Sequence, residues 1–273
     1  MSPELMQFLA EAVRSRSGLI LEADKAYLAQ TRLAPIARQH GLASVSALVE
    51  ALRVRKDERI LWAVTDALTT NETFFFRDGA PFTLLRDTVL PALAPTRASL
   101  SVWSAACSTG QEPYSIAMLV EEARSGFPQM KLNMLASDIS ERVLEKARAG
   151  VYTSFEVQRG LPAGYLAKYF SRSGDVWQVN LGLRQLVRWR QFNLLEQMTA
   201  LGRFDVVFCR NVLIYFDAPT KRQVLDRIAA VMAEDGFLFL GGAETVMGLT
   251  DAFEPVPGKP GLFARNAKLI KAA

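Results

Sequence analysis

The 273-residue sequence predicts a small all-helical region followed by an α/β domain with an open, mostly parallel sheet. Two patterns support this prediction. Up to residue 69, apolar residues recur only at helical spacing, whereas from about residue 96 short apolar strands alternate with helical segments. We therefore divide the chain into a helical domain over 1–69, a linker over 70–95 and an α/β domain over 96–273.

Composition narrows the class of protein. Half of the residues are hydrophobic and 22% are charged, which is typical of a globular protein and excludes extended disorder. The net charge of +4 is well below that of a dedicated nucleic-acid-binding protein. The sequence contains no apolar run of about 18 residues and no signal-peptide pattern. We expect a cytoplasmic protein with no membrane insertion, no disulfide framework and no metal site.

Four apolar stripes predict four helices in the first domain. The stripes run from Leu5 to Val13, from Tyr27 to Ile36, from Val45 to Leu52 and from Ile60 to Leu68. Asp24 is expected to cap the second helix and Gly41 to end it. We expect these helices to pack as a small bundle.

The α/β domain shows four clear strands. They are expected at Leu100–Trp103, Lys131–Ala136, Phe204–Cys209 and Gly236–Leu240. Helices are expected between them, at about 112–124, after Ser140 and at about 219–233, and the tail from Phe253 to Ala264 is expected to add an antiparallel pair. The stretch 171–189 interrupts the alternation. Its segments 176–179 and 186–189 predict a small antiparallel hairpin, a β-subdomain grafted onto the main sheet.

Two strand ends carry residues suited to a nucleoside cofactor. In a doubly wound sheet the ligand lies beyond the carboxyl ends of the strands. The first strand runs into a loop of small residues ending at Gly110, and the second ends at Asp138, a carboxylate suited to ribose hydroxyls. Glu112 supplies a second carboxylate, suited to an amino group. Because no dinucleotide fingerprint and no phosphate loop is present, S-adenosylmethionine is favoured. The alternative is that both acids serve only the starts of helices.

Four motifs, in order along nearly the full length, resemble the CheR family of chemotaxis receptor methyltransferases. They are TTNETFFFR at 69–77, ACSTGQEPYS at 106–115, NLLE at 193–196 and FCRNVLIYF at 208–216. Members of this family are S-adenosylmethionine-dependent protein-glutamate O-methyltransferases. The resemblance implies a class I methyltransferase-type, Rossmann-like sheet, with S-adenosyl-L-methionine as cofactor and S-adenosyl-L-homocysteine as product.

The resemblance also implies roles for individual residues. The linker would fold over the cofactor, Glu112 would meet its amino end and Asp138 its ribose. Arg77 and Tyr215 match the catalytic pair near the transferred methyl group. The positions that match cofactor contacts are Asn71, Thr73, Arg77, Glu112, Asp138, Asn193, Leu194, Arg210 and Asn211.

The chemistry of a glutamate substrate fits these residues. Its carboxylate, with a pKa of about 4.3, is ionised at neutral pH and needs no general base to attack a sulfonium methyl group. An arginine can clamp such a carboxylate in a planar geometry, and a tyrosine hydroxyl can orient it. The one histidine, His40, lies in the helical domain, which is consistent with a reaction that needs no base.

Structural roles remain alternatives for several of these residues. Arg210 could pair with Asp217, Tyr215 could close a strand end, and Arg77 could be a solvated linker residue. Cys107 and Cys209 are expected to be small buried packing residues at the ends of neighbouring strands, since no histidine partner is available to activate either thiol.

One part of the sequence is rich in basic residues and indicates what kind of macromolecule the protein binds. Residues 146–203 contain nine Lys and Arg against three acids, an excess of six positive charges that fits either an acidic receptor helix or RNA. The resemblance implies that the partner is the cytoplasmic helical bundle of chemoreceptors. The short hairpin at 171–189 leads us to expect no tether by a C-terminal receptor peptide. We also expect a monomer that binds no nucleic acid. Two alternatives stay open: a methyltransferase of the same fold acting on RNA or a small carboxylic acid, and a non-catalytic cofactor-sensing adaptor.

Overall fold

The computed structural model describes residues 1–22 and 26–266, which form two compact units. The helical unit contains residues 1–70 and 215–220, and the α/β unit contains 71–214 and the chain from 221 onward. Asp24, the expected cap of the second helix, lies outside the described residues. Each unit has its own apolar core.

Among the residues that the structure describes, four helices build the helical unit, as the apolar stripes predicted. They are α1 (Pro3–Ser17), α2 (Ala26–Gln39), α3 (Val45–Arg55) and α4 (Glu58–Leu68). Polar side chains cap three of them: Ser2, Ser44 and Asp57 each accept a backbone N–H from the first turn of the helix that follows. The buried stripe of each helix faces a shared core in which Leu9, Leu33, Leu48 and Val64 are fully buried.

Up to residue 266, where the described part of the chain ends, the α/β unit contains ten strands. They are β1 (Ser99–Ala105), β2 (Lys131–Asp138), β3 (Val151–Thr153), β4 (Phe170–Ser173), β5 (Val176–Val179), β6 (Val187–Gln191), β7 (Phe204–Cys209), β8 (Met232–Leu240), β9 (Phe253–Pro255) and β10 (Leu262–Arg265). Seven form the main sheet in the order β6-β2-β1-β7-β8-β10-β9. The first five strands in that order are parallel neighbours, and β10 and β9 add the antiparallel pair expected of the tail. The fold class predicted from the sequence is confirmed.

Helices flank the strands of this unit. They are α5 (Ala80–Leu84), α6 (Leu90–Leu93), α7 (Gln111–Ala123), α8 (Glu141–Ala149), α9 (Ser154–Gln158), α10 (Ala163–Tyr169), α11 (Leu181–Gln185) and α12 (Ala218–Ala230). A single π-helical turn over Leu85–Val89 joins α5 to α6. This part of the linker packs into the α/β core through Phe82 and Leu90. In the part of the chain that the structure describes, no helix is long and apolar enough to cross a membrane.

The small antiparallel sheet differs from the hairpin expected over 171–189. It has three strands in the order β3-β5-β4, so the partners of β5 are β3 and β4. β6, expected to pair with β5, runs parallel to β2 at the edge of the main sheet. The reason is local, because the short turn at Gly174 closes the β4–β5 hairpin, whereas Asn180 leads directly into α11. The α11 turn carries the chain away from the small sheet before β6 begins.

Candidate functional site

The loop between β1 and α7 has a strained backbone. Ala106 and Ser108 have φ of +56° and +51°, in the left-handed region that non-glycine residues rarely adopt. Gly110 has φ +92°, and a Cβ there would lie 2.9 Å from Ala147 Cβ and 3.0 Å from Trp189 Cη2, so only glycine fits. Such strain clusters at functional sites, where surrounding contacts hold it in place.

Asp138 fixes this loop from the neighbouring strand. It is the last residue of β2 and is 5% exposed. Its Oδ2 accepts the backbone N–H of Ser108 at 2.8 Å, and its Oδ1 accepts that of Ser140 at 3.0 Å. Ser140, rather than Asp138, is the N-cap of α8. The Asp138 carboxylate therefore ties the β1–α7 loop to the start of α8.

Glu112, in the first turn of α7, belongs to a buried ion pair. Its Oε1 accepts from Ser104 Oγ at 2.8 Å and its Oε2 from Arg210 Nη1 at 2.8 Å. The Arg210 side chain, which directly follows β7, is 1% exposed. A buried charge pair is held only where additional hydrogen bonds satisfy it. Glu112 is therefore more than a helix-start acid, because two other elements orient its carboxylate.

Arg210 also binds the linker. Its Nη2 donates to the Arg77 backbone carbonyl at 2.9 Å and to Asp78 Oδ2 at 2.6 Å. Arg210 thus forms ion pairs with Glu112 and Asp78. The pairing with Asp217 considered from the sequence is wrong, since Asp217 pairs with Arg14 inside the helical unit.

The linker also contacts the β1–α7 loop and helix α7, at one point each. Ser108 Oγ donates to the backbone carbonyl of Asn71 at 2.8 Å, and the backbone N–H of Phe76 donates to Ser115 Oγ at 2.9 Å. Thr73 and Arg77 are half-buried along the same segment. Asn71 and Arg77, expected near the cofactor from the sequence, are thus tied to the residues around Asp138 and Glu112.

The remaining expected cofactor positions follow β6 and β7. Asn193 and Leu194 come directly after β6 and are buried, and Asn193 Oδ1 accepts the backbone N–H of Leu195 at 3.0 Å. Asn211 follows β7 with φ +59°. Because β6, β2, β1 and β7 are parallel neighbours, their carboxyl ends share one edge of the sheet. All nine expected cofactor positions belong to the α/β unit.

Glu244 was missed by the sequence reasoning. Its Oε2 accepts the backbone N–H groups of Gly241 and Asn211 at 2.7 and 2.8 Å, and its Oε1 accepts those of Val212 and Ile214 at 2.9 and 3.3 Å. A Cβ at Gly241 would lie 2.6 Å from Asn211 Nδ2. One carboxylate therefore shapes the turn after β7. The signal was present, since Glu244 lies four residues beyond the carboxyl end of β8, in the kind of position that drew attention to Asp138 at the end of β2.

Tyr215 belongs to a different unit from Arg77. The segment 215–220 groups with the helical unit, where the Tyr215 side chain packs against the helical core and its carbonyl accepts from the Ile20 N–H at 2.9 Å. The network of the α/β unit described above does not include it.

The two cysteines are buried, as expected. Cys107 lies in the β1–α7 loop and Cys209 ends β7. Burial raises the pKa of both thiols, and the nearby carboxylates of Asp138 and Glu112 raise that of Cys107 further. Neither thiol is set up as a nucleophile, because a nucleophilic cysteine needs a lowered pKa.

Family comparisons cover nearly the whole chain. Residues 4–69 match the model for the CheR methyltransferase all-alpha domain, and residues 71–262 match the CheR methyltransferase SAM binding domain. The chain is 40% identical over 254 residues to a chemotaxis protein methyltransferase of Vibrio parahaemolyticus, covering 92% of each chain. It is 41% identical over 252 residues to the chemotaxis protein methyltransferase Cher2 of Pseudomonas putida, covering 90% of this chain and 92% of that one. It is 39% identical over 247 residues to chemotaxis protein methyltransferase 2 of Pseudomonas aeruginosa, covering 88% and 86%.

Proposed function

Because this chain belongs to the CheR methyltransferase family, we propose that it methylates glutamate side chains of chemoreceptors for sensory adaptation. The chain is a methyltransferase, and S-adenosylmethionine is its cofactor. The proposed products are a glutamate methyl ester and S-adenosylhomocysteine.

The polar groups at the sheet edge fit this cofactor. Asp138 is a buried acceptor suited to the two ribose hydroxyls, and Glu112 is a buried carboxylate suited to the amino group. Asn193, Leu194 and Asn211 would surround the adenosine, with Asn71 and Thr73 on the linker side. Arg210, whose position matches a cofactor contact in the family, contributes by holding Glu112 in place. When bound, the cofactor supplies an electrophilic methyl group on a sulfonium.

The chain's own work is to position a carboxylate and exclude water. The substrate glutamate is ionised at neutral pH, so no residue has to remove a proton. Arg77 donates Nη1 to the Glu72 carbonyl at 2.6 Å, which uses one of the five N–H donors of its guanidinium. The rest of its fork can hold the substrate carboxylate. The catalytic role of Tyr215, which belongs to the helical unit, stays a prediction from the family resemblance.

The observation that carries the proposal is the double contact of Arg210. One nitrogen of this buried guanidinium holds the Glu112 carboxylate and the other holds the backbone of Arg77. The residue proposed for the amino end of the cofactor and the residue proposed for the substrate carboxylate are therefore fixed to one side chain. This arrangement supports transfer between a bound cofactor and a bound carboxylate.

The ion pairs of the basic stretch reduce the charge available for the many phosphate contacts that RNA binding needs. Within 146–203, three cations pair with acids outside the stretch: Arg148 with Glu141, Arg159 with Glu72 and Lys168 with Glu122. The excess charge of the stretch is thereby reduced. We propose the cytoplasmic helical bundle of chemoreceptors as partner, and hence a cytoplasmic location, with a monomeric enzyme and no nucleic acid.

We also propose that the enzyme works without a receptor tail peptide, since the strands of the small sheet have only three or four residues each. Calorimetric titration with a receptor C-terminal peptide tests this. Micromolar affinity would contradict it.

The proposed reaction is tested by methyl transfer from radiolabelled S-adenosylmethionine to membranes that contain chemoreceptors, followed by mild alkali. We expect label on a receptor-sized band, released by base as methanol, because methyl esters hydrolyse in alkali. Base-stable label would indicate methylation of nitrogen or RNA. Cofactor binding without label on a panel of receptors would indicate an adaptor.

A further inference from the structure

Two arginines share one aromatic ring in the linker. The guanidinium carbon of Arg159 lies 4.3 Å from the centroid of the Phe74 ring, and that of Arg77 lies 5.8 Å from the same centroid. Both distances allow a cation–π interaction. A second positive charge is thus held beside Arg77, the residue proposed to bind the substrate carboxylate.

The position of Arg159 is set by the glycine that follows it. Gly160 has φ +82°, and a Cβ there would overlap the backbone carbonyl of Phe75. Only glycine permits this close approach of the segment after α9 to the linker. Arg159 is therefore held at the linker by backbone packing as well as by its contact with Phe74.

Glu72 contacts both arginines, but its carboxylate is weakly bound. Its Oε1 lies 2.6 Å from Arg159 Nη1, and its backbone carbonyl accepts from Arg77. The side chains of Glu72 and Arg159 are 55% and 44% exposed. Exposed ion pairs contribute little to stability because water competes for both charges. A carboxylate from another molecule can replace that of Glu72 at small cost.

We propose that Arg159 is a specificity-determining residue that binds a second carboxylate of the protein substrate, beside the one held by Arg77. In the free enzyme the Glu72 carboxylate occupies this place. This inference rests on the proposed function and adds a requirement to it: the segment around the target glutamate must itself be acidic. A product ester is uncharged, so a segment methylated at both positions binds more weakly and is released.

The test measures receptor methylation kinetics for the Arg159→Gln and Glu72→Gln variants, with S-adenosylhomocysteine affinity measured by calorimetry for each. We expect Arg159→Gln to raise KM for the receptor about five-fold at low salt, with kcat nearly unchanged, the size expected for loss of an exposed charge pair. We expect Glu72→Gln to lower KM about two-fold, because the competing carboxylate is removed. Arg124→Gln is the control. It breaks a comparable exposed pair with Glu121 at the end of α7 remote from Gly110, and we expect no change in KM.

The two variants are expected to shift KM in opposite directions, and this difference distinguishes substrate binding from a purely structural role. If the pair serves only to stabilise the linker, both substitutions break the same contact and shift KM in the same direction, which would overturn the inference while receptor methylation persists. An unchanged KM in Arg159→Gln would also overturn it. If the unchanged enzyme transfers no methyl group to any receptor, the proposed function fails and the inference fails with it. Equal cofactor affinity in all variants shows that each has folded.

Discussion

The helical unit and the α/β unit bury polar groups in different ways. In the described residues of the helical unit, the two buried polar side chains are Ser17 and Thr65, and each hydroxyl donates to a carbonyl of its own helix. In the α/β unit Glu112, Asp138 and Arg210 are all buried and bind across elements. Among the described residues these are the only buried charged side chains.

The two units also differ in backbone strain, which is concentrated in the α/β unit. Six described residues other than glycine have positive φ, and five of them lie in the α/β unit. They are Phe76, Asp78, Ala106, Ser108 and Asn211. The sixth, Lys56, ends α3 in an ordinary helix cap. The helical unit is built as a regular scaffold, whereas the linker and the strand ends of the α/β unit hold the buried charges and the strained residues, as functional sites do.

The largest effect should come from breaking the buried ion pair. We expect Arg210→Ala to destabilise the protein by about 3–5 kcal/mol, because Glu112 is left buried without its cation. Denaturant unfolding measures this loss. Arg53→Ala in the helical unit removes an exposed arginine that pairs with Glu50 and should cost less than about 1 kcal/mol. Similar losses in both variants would contradict the contrast between the two units.

The next effect concerns Glu244. We expect Glu244→Gln to weaken S-adenosylhomocysteine binding about ten-fold, since the amide replaces one of the two oxygens that hold the turn containing Asn211. Calorimetry measures this affinity. Glu254→Gln, on the exposed face of β9, is the matched control and should bind like the unchanged protein. Unaltered binding in Glu244→Gln would mean that the turn holds its shape without this carboxylate.

In the helical unit, the N-cap residue of α4 can be replaced without changing any residue of the candidate cofactor site. We expect Asp57→Ala to cost about 1 kcal/mol of stability, because the first turn of α4 loses the acceptor for two backbone N–H groups. Cofactor affinity should not change. Unfolding and calorimetry on the same preparation check both parts, and a loss of cofactor affinity would show that the helical unit contributes to binding.

The last prediction of this series is that the two buried cysteine thiols do not react in the native protein. Since burial raises the pKa of Cys107 and Cys209, both thiols stay protonated at pH 8 and react only when the protein unfolds. Ellman's reagent should detect no thiol in the native protein and two in guanidinium. Rapid reaction of one thiol in the native state would show that a strand end is open to solvent.

The same contrast explains what could be predicted from the sequence. The helices and most strands follow from hydrophobic periodicity, which is a local signal, and Asp138 and Glu112 follow from the rule that parallel strands place ligands at their carboxyl ends. The partners of Arg210 could not be predicted, because Glu112 and Asp78 lie about a hundred or more residues away in sequence. The predicted pairing of β6 with β5 was wrong for the same reason: a strand of five residues does not by itself specify its neighbour.

The most direct test is the affinity of the Asp138→Asn variant for S-adenosylhomocysteine, measured by calorimetry beside Asp57→Asn. Both substitutions replace a carboxylate that accepts backbone N–H groups, one at a strand end of the α/β unit and one at a helix cap. If the strand-end carboxylate holds the ribose, Asp138→Asn loses about 100-fold in affinity, corresponding to about 3 kcal/mol of charged hydrogen bonding, while Asp57→Asn binds normally. Normal binding by a folded Asp138→Asn variant would contradict the placement of the cofactor at this edge of the sheet.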